Sequence, residues 1–312
     1  MASKSNKQPL RLLEVIRTLF YTPIYVSVAG GFLEKEGLDV DFKTCPQEFG
    51  HPINALNIGQ ADIVQSGVMR CIIASDWGAE TVPKHFAEVN SRDGFFVISR
   101  TKQDPFLWES LKGANLIPVD FSPMPWGSLQ TALRRHNINP ADINLLTGLN
   151  INDAMAAFRA GEAEFIHLPQ PFAEEILEEG SGHVVIAVGP ENGHVCFSSF
   201  AATNHYLDTH PDTVHRFTVG YANALKWLTA HDPSEVGTAV KEFFPDVSLE
   251  LVIKSVTRLK NQDNWPSDPT ITEASYQGLH DILLNSGMAK LQQPYSKVIR
   301  TDIAETALAS RK

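Results

Sequence analysis

The residues able to do chemistry in this chain sit in loops between periodic segments, in four clusters. Phe20, Tyr21 and Thr22 form the first, and Ser66 and Gly67 the second. Asp120, Phe121, Ser122, Trp126 and Gly127 form the third, and His167 and Gln170 the fourth. Trp265, in Asn261-Gln-Asp-Asn-Trp-Pro266, is a fifth contribution. These are rings, hydroxyls, an imidazole and an amide, with glycines where a ligand can approach the backbone closely. Several clusters precede helical patterns. Helix N-termini carry unpaired N–H groups and partial positive charge, so they hold carbonyl or anionic groups without a basic side chain. Arg17 and Arg92 are the cations near these loops. Each residue has a packing alternative. Phe20 and Tyr21 can pack internally, Ser66 can cap a helix, and Asp120 can cap a turn or meet a ligand amine. Trp77 and Trp108 read as packing residues on helix faces.

Other chemistries lack their signatures. Ser66, His167 and Asp120 are the residue types of a hydrolytic triad, but no G-x-S-x-G elbow accompanies them. His205, His210 and His215 are spaced five apart, which keeps them off one helical face, so no metal site is expected. Neither a phosphate loop nor a dinucleotide fingerprint is present. Cys45, Cys71 and Cys196 are odd in number and far apart, as in a reducing compartment without a disulfide framework. The formal net charge of −10 argues against nucleic-acid and anionic-membrane partners. No apolar run of about eighteen residues offers a membrane span. Met1 to Pro9 lack the apolar core of a secretory leader. A cytoplasmic location is therefore expected, or a periplasmic or secreted one if a leader was removed.

The elements that must position these loops follow an α/β pattern. Leu10–Ile16 is a strand; a helix runs from Thr22 and Pro23 to about Glu36 and stops at Gly37. Leu38, Val40 and Phe42 alternate with Asp39 and Asp41 as in a half-exposed strand. Between the strand and the helix, residues 17–22 lie at the carboxyl end of the sheet, where open α/β sheets bind ligands. Asp62–Gln65 is a strand before an apolar helix, Gly67–Ser75, and Lys84–Val89 and Gly94–Ser99 are strands. The plan then repeats: strand 115–119, helix 128–136 with Asn137 as its cap, strand 143–146, helix 152–161, strand 163–167, helix 169–179 and strand 184–188. Helices are expected at 212–230, 234–244, 248–258 and 272–286, with a loose helix or disorder from Thr301. Residues 1–98 and 203–312 are expected to form one lobe and 99–202 the other. The crossings are expected near Ser99–Lys102 and Ser198–Thr203.

The stretch Phe20-Tyr-Thr-Pro-Ile-Tyr-Val-Ser-Val-Ala-Gly-Gly-Phe-Leu-Glu-Lys-Glu-Gly-Leu-Asp-Val-Asp-Phe42 resembles the opening of type II solute-binding proteins. The similar branch is that of sulfonate- and taurine-binding proteins and the NMT1/THI5-like group. Ala55-Leu-Asn-Ile-Gly-Gln-Ala-Asp-Ile-Val-Gln-Ser-Gly67 and Leu207–Phe217 continue the likeness, which is traceable to about Leu291. The resemblance implies a two-lobed type II periplasmic-binding fold, with two Rossmann-like lobes joined by two hinge strands. It implies binding of a small organic ligand in the cleft, either pyrimidine-like or a sulfonate, and an ABC permease as partner if the chain is exported. A monomer without cofactor is expected. The enzymatic alternative is a thiamine-pyrimidine synthase, which resembles this chain at the first loop and at Asp62. Such enzymes hold pyridoxal phosphate on a lysine where this chain has Ser66, and segment 61–71 contains no lysine. Their cysteine-rich run thins here to Val195-Cys-Phe-Ser-Ser-Phe200.

Overall fold

The structure, a computed structural model, describes residues 7–119 and 122–310. The chain runs β1 (Gln8–Glu14), α1 (Thr22–Ala29), α2 (Phe32–Lys35), β2 (Leu38–Thr44), α3 (Pro52–Asn57), β3 (Ile63–Gly67), α4 (Met69–Asp76) and β4 (Lys84–Asn90). It continues as β5 (Phe95–Ser99), β6 (Asn115–Ile117), α5 (Pro123–Arg135), β7 (Asn144–Leu145), α6 (Ile151–Ala160), β8 (Phe165–Pro169), α7 (Phe172–Glu178), β9 (His183–Ala187) and α8 (Val188–Asn192). After β10 (Ser198–Ala202) come α9 (Asn204–Thr209), α10 (Pro211–Ala230), α11 (Pro233–Val240), α12 (Leu249–Asn261), α13 (Glu273–Asn285), α14 (Tyr295–Val298) and α15 (Thr301–Ala309). No helix among the described residues is long and apolar enough to cross a membrane.

Two five-stranded sheets result, in the orders β2-β1-β3-β10-β4 and β7-β6-β8-β5-β9. In each, four strands run in one direction and one antiparallel strand is inserted, β10 in the first sheet and β5 in the second. Each inserted strand is the one the chain enters just after crossing between sheets. The crossings therefore lie at 91–94 and 193–197, several residues earlier than the sequence pattern puts them. β5 belongs wholly to the second sheet and β10 wholly to the first. The pattern misplaces them because both are apolar runs of strand length, and period alone does not say which sheet accepts a strand.

Local chemistry accounts for the other departures. The first helix breaks in two at Gly30–Gly31. Gly31 adopts φ 65, and a Cβ at Gly30 would lie 2.4 Å from a Phe32 ring carbon. The fifth helix begins at Pro123, not at Ser128. Its prolines fall in the first turn, where a missing N–H costs nothing. Asn137 takes φ 59 just past that helix, and Gly161 takes φ 91 at the end of α6. α15 is ordered because Ala304 and Ala307 are buried. The largest apolar cluster joins both sheets, from Leu12 and Ile63 through Phe20 and Phe95 to Ile166 and Leu168. The lobes therefore share a packed seam behind the cleft.

Candidate functional site

β1 and β3 end side by side, and the residues after them form the first wall. Thr18 accepts a hydrogen bond from Phe20 N and so fixes a 3-10 turn at Leu19–Tyr21. This sets Tyr21 at the start of α1, nearly buried. Burial raises its phenol well above the ordinary value, against the pull of the Gln65 side chain beside it. Gln65 Oε1 accepts from Val15 N at 3.1 Å, while its Nε2 is buried without a hydrogen-bond partner. Ser66 is fully buried and donates to the Gly67 carbonyl at 3.3 Å. Gly67 is half-buried, and a Cβ there would make only ordinary contacts.

Arg70, in the first turn of α4, is the residue the sequence reading missed. It is half-buried beside Tyr21, and desolvation pulls its pKa down. No hydrogen bond or ion pair involves its guanidinium among the described residues. His51, capping α3 nearby, is pulled down to about 3 by burial and by Arg70. The signal for Arg70 was its place three residues after Gly67. A single arginine in an apolar helical run does not announce that its charge points inward.

The second wall carries His167 on β8. Its ring is buried 5.5 Å from the Phe95 ring, and neither nitrogen has a partner. Burial pulls it down to about 3, so it is a neutral imidazole. Ser122 precedes α5 without a capping bond from its side chain. Asp120 and Phe121 lie outside the described residues.

Several expected contacts turn out to hold the molecule together instead. Thr22 donates to Leu19 O at 2.6 Å, inside the first turn. The Phe20 ring packs against Tyr21, Phe95 and Phe197 at 5.1, 5.7 and 5.4 Å, touching both crossings. Its carbonyl accepts from Asn90 Nδ2 at 2.7 Å and from Trp265 Nε1 at 2.8 Å, which spends the indole N–H as well. Gln170 accepts at its backbone from Thr18 Oγ1 at 2.5 Å and at Oε1 from Ser255 Oγ at 3.1 Å, tying the lobes. Trp126 packs on the second lobe's own cluster. A Cβ at Gly127 would fall 2.2 Å from Met288 Cε, so that glycine serves helix contact, not ligand approach. Arg17 is bound to Glu14 at 2.6 Å and lies over the Tyr25, Phe42 and Phe243 rings, so it offers no free charge. Trp77, expected to pack, is 81% exposed.

Between α4, the start of α5 and the segment after α13 lies a cavity of about 430 Å³, lined by Arg70, Met69, Ile73, Trp77, Pro123 and Met288, among others. Ser66 supplies no amine for a pyridoxal phosphate imine. Lys84 donates to the carbonyls of Ser296 and Lys297, and Lys290 is exposed at the cavity rim. The first wall therefore does not fit that cofactor.

A family model described as NMT1/THI5 like matches residues 20–235. "Putative binding protein YtlA" of Bacillus subtilis (strain 168) is 30% identical over 303 residues, covering 97% of this chain and 90% of that protein. The alkanesulfonate-binding protein SsuA from Xanthomonas axonopodis pv. citri, solved with MOPS, superposes with a TM-score of 0.69 at 16% identity, over 98% of this chain and 99% of that one. The periplasmic nitrate-binding protein NrtA from Synechocystis PCC 6803 gives 0.70 at 14% identity, over 97% and 89%.

Proposed function

The chain belongs to the NMT1/THI5-like family, and on that premise we propose that it is a solute-binding protein that closes two lobes over a small organic anion. The closing bodies are 7–90 with 198–310 and 95–192, hinged at the two crossings. One observation carries the reading. Arg70 holds a half-buried guanidinium with no counter-charge among the described residues. An unpaired charge taken out of water is costly, and a bound anion restores the balance. Gln65 Nε2, next to Tyr21, adds a buried donor without a hydrogen-bond partner. His167 adds, from the other lobe, a neutral ring with one donor and one acceptor. A sulfonate or carboxylate matches the fork of an arginine. The sulfonate and nitrate ligands of the structural neighbours are anions too. Delivery to an ABC permease is the role this implies where the chain is exported.

Calorimetry tests it. The parent is titrated with alkanesulfonates, carboxylates, nitrate and matched neutral and cationic compounds. Anions alone are expected to bind. Arg70→Gln is expected to weaken them about thirtyfold or more, since removing one partner of a buried charge pair costs about 2–5 kcal/mol. Equal affinity in the variant would refute the assignment.

A further inference from the structure

We propose that the two crossings form a proton-sensitive hinge, in which the Asp93 and Glu88 carboxyls hold the lobes closed while protonated and favour opening once ionised. This rests on the reading of 91–94 and 193–197 as the hinge between the two closing bodies. The crossings are one structural unit. Val195 N donates to Ser91 O at 2.9 Å and Phe197 N to Asn90 O at 3.0 Å, so neither bends without the other. A buried carboxyl serves each crossing, and each has one oxygen without a hydrogen-bond partner, Oδ2 of Asp93 and Oε1 of Glu88. Asp93 lies where the lobes meet. Its Oδ1 accepts from Phe95 N of the second lobe at 2.7 Å, and its carbonyl accepts from Asn264 Nδ2 of the first at 3.1 Å. A Cβ at Gly189, on α8, would fall 2.4 Å from that carbonyl, so the packing there is tight. Glu88, near the end of β4, meets the second crossing through His194, whose Nε2 lies 3.3 Å from its Oε2.

An ionised carboxylate out of water is costly, and a protonated one much less so. Burial pushes both carboxyls up to about 7, Glu88 against the hydrogen bond and charge of His194. Opening the ribbon lets water reach them and returns them toward their ordinary 4.5 and 3.8. The closed form therefore binds more protons between about pH 4 and about pH 7. It is favoured in full below that window and weakened as pH climbs through it. The groups facing these acids do not reverse the sign. Around Glu88 stand His194, Asp268, the Cys196 thiol and the Tyr221 and Tyr295 phenols. Burial raises the thiol and both phenols, so they stay neutral over this range. The bond to Glu88 raises His194 against burial and the charge of Arg92, and its proton also leaves on going to higher pH. Around Asp93 stand Arg92 beside it in the chain, Asp263 on the turn after α12, Glu191 of α8, paired with His136 at 2.7 Å, and Arg135 of α5, bonded to Asn192 Oδ1 at 3.2 Å. Among the described residues none of these is hydrogen-bonded or ion-paired to Asp93. The Ser128 hydroxyl is the polar group that α5 brings to it.

Small-angle X-ray scattering of the full chain without ligand, at pH 5, 6, 7 and 8, tests the hinge. The radius of gyration is expected to grow between pH 5 and 7 and to level off by pH 8, with the far-ultraviolet circular dichroism unchanged. Inside the window each of the two protons shifts the closed-to-open ratio by about tenfold per pH unit. Asp93→Asn and Glu88→Gln each keep the side-chain shape and remove one titration. Each is expected to flatten the curve and hold the compact form to higher pH, and the double variant is expected to stay compact from pH 5 to 8. A radius that does not change with pH in the parent would overturn the hinge. So would equal curves for the parent and the double variant, or an expansion accompanied by loss of helix. No anion enters the measurement. Anion binding in calorimetry with a pH-independent radius would therefore overturn the hinge alone. A pH-dependent radius that both substitutions flatten, in a protein that binds no anion, would support the hinge and overturn the anion reading.

Discussion

Replacing Asp93 by Asn should change how stability depends on pH, by an amount the structure sets. Asp93 lies in the first crossing and is fully buried. Its Oδ1 accepts from Phe95 N at 2.7 Å, and its Oδ2 has no hydrogen-bond partner. Burial pushes its carboxyl up to about 7, against the Ser128 hydroxyl and the Phe95 N–H, from an ordinary 3.8. A carboxyl raised on folding stabilises the fold below its unfolded pKa, and that stability is lost as pH climbs through its folded pKa. Across the window from about 4 to about 7 the folded state binds one proton more, which removes about 1.4 kcal/mol per pH unit. Asn keeps the Oδ1 bond and does not titrate. Relative to the parent, Asp93→Asn should therefore gain about 3 kcal/mol between pH 5 and 7 and then hold that margin. Glu88 is also pushed up to about 7, while His51, His85 and His167 are pulled down to about 3. These groups tilt both proteins alike and cancel in the difference. Urea unfolding at pH 5, 6, 7 and 8 reads it directly, and the change is large beside a total stability of about 5–15 kcal/mol. A margin constant over the whole range would show that the carboxyl ionises normally and that the crossing is wetter than described here.

Two further outcomes follow from the seam. At Gly94 an added Cβ would sit 2.2 Å from Phe20 Cδ2, so Gly94→Ala should displace the aromatic cluster and destabilise by about 1–3 kcal/mol; an unchanged melting temperature would contradict that packing. On the outer face, Arg258 pairs with Glu174, and Lys254 with Glu178 at 2.7 Å, α12 of one lobe against α7 of the other. Arg258→Ala should weaken ligand binding about three- to tenfold by loosening the closed form. It should also reduce the loss of affinity between 50 and 500 mM salt. Equal affinity and equal salt dependence would remove the latch from the mechanism.

The fold was legible because its signals are local and repeated. Gly161 ends α6, Pro211 opens α10, and the alternation at Leu38–Phe42 marks β2. What misled the reading was long-range pairing. Nothing within Phe95–Ser99 says that β8 and β9, not β4, are its neighbours. The loops named from the sequence follow the carboxyl ends of β1, β3 and β8, and Thr18 of the first meets Gln170 of the last. Yet Phe20, Thr22, Gly127 and Trp265 hold the frame there, because aromatic and small residues serve a seam as readily as a ligand. Arg70 was invisible because a charge's lack of partners is a property of the fold and not of any sequence window.

That last point sorts the residues of the cleft. Buried polar groups in a native protein are hydrogen-bonded, with few exceptions, and each exception asks for a reason. Gln170 Oε1, the Phe20 carbonyl and Trp265 Nε1 are all satisfied within the chain. A ligand that engaged them would have to break what joins the lobes. Gln65 Nε2 and both nitrogens of His167 are buried and unsatisfied, and Arg70 is a cation without an anion among the described residues. Unsatisfied atoms also occur at the first crossing, in Asp93 Oδ2 and Gln262 Oε1, so a missing partner marks a candidate and position decides its role. The aromatic seam at Phe20 touches both crossings, so its packing governs how the lobes meet. On the proposed function, substitutions at Phe20 and Trp265 should act mainly on stability, and those at Arg70, Gln65 and His167 mainly on affinity.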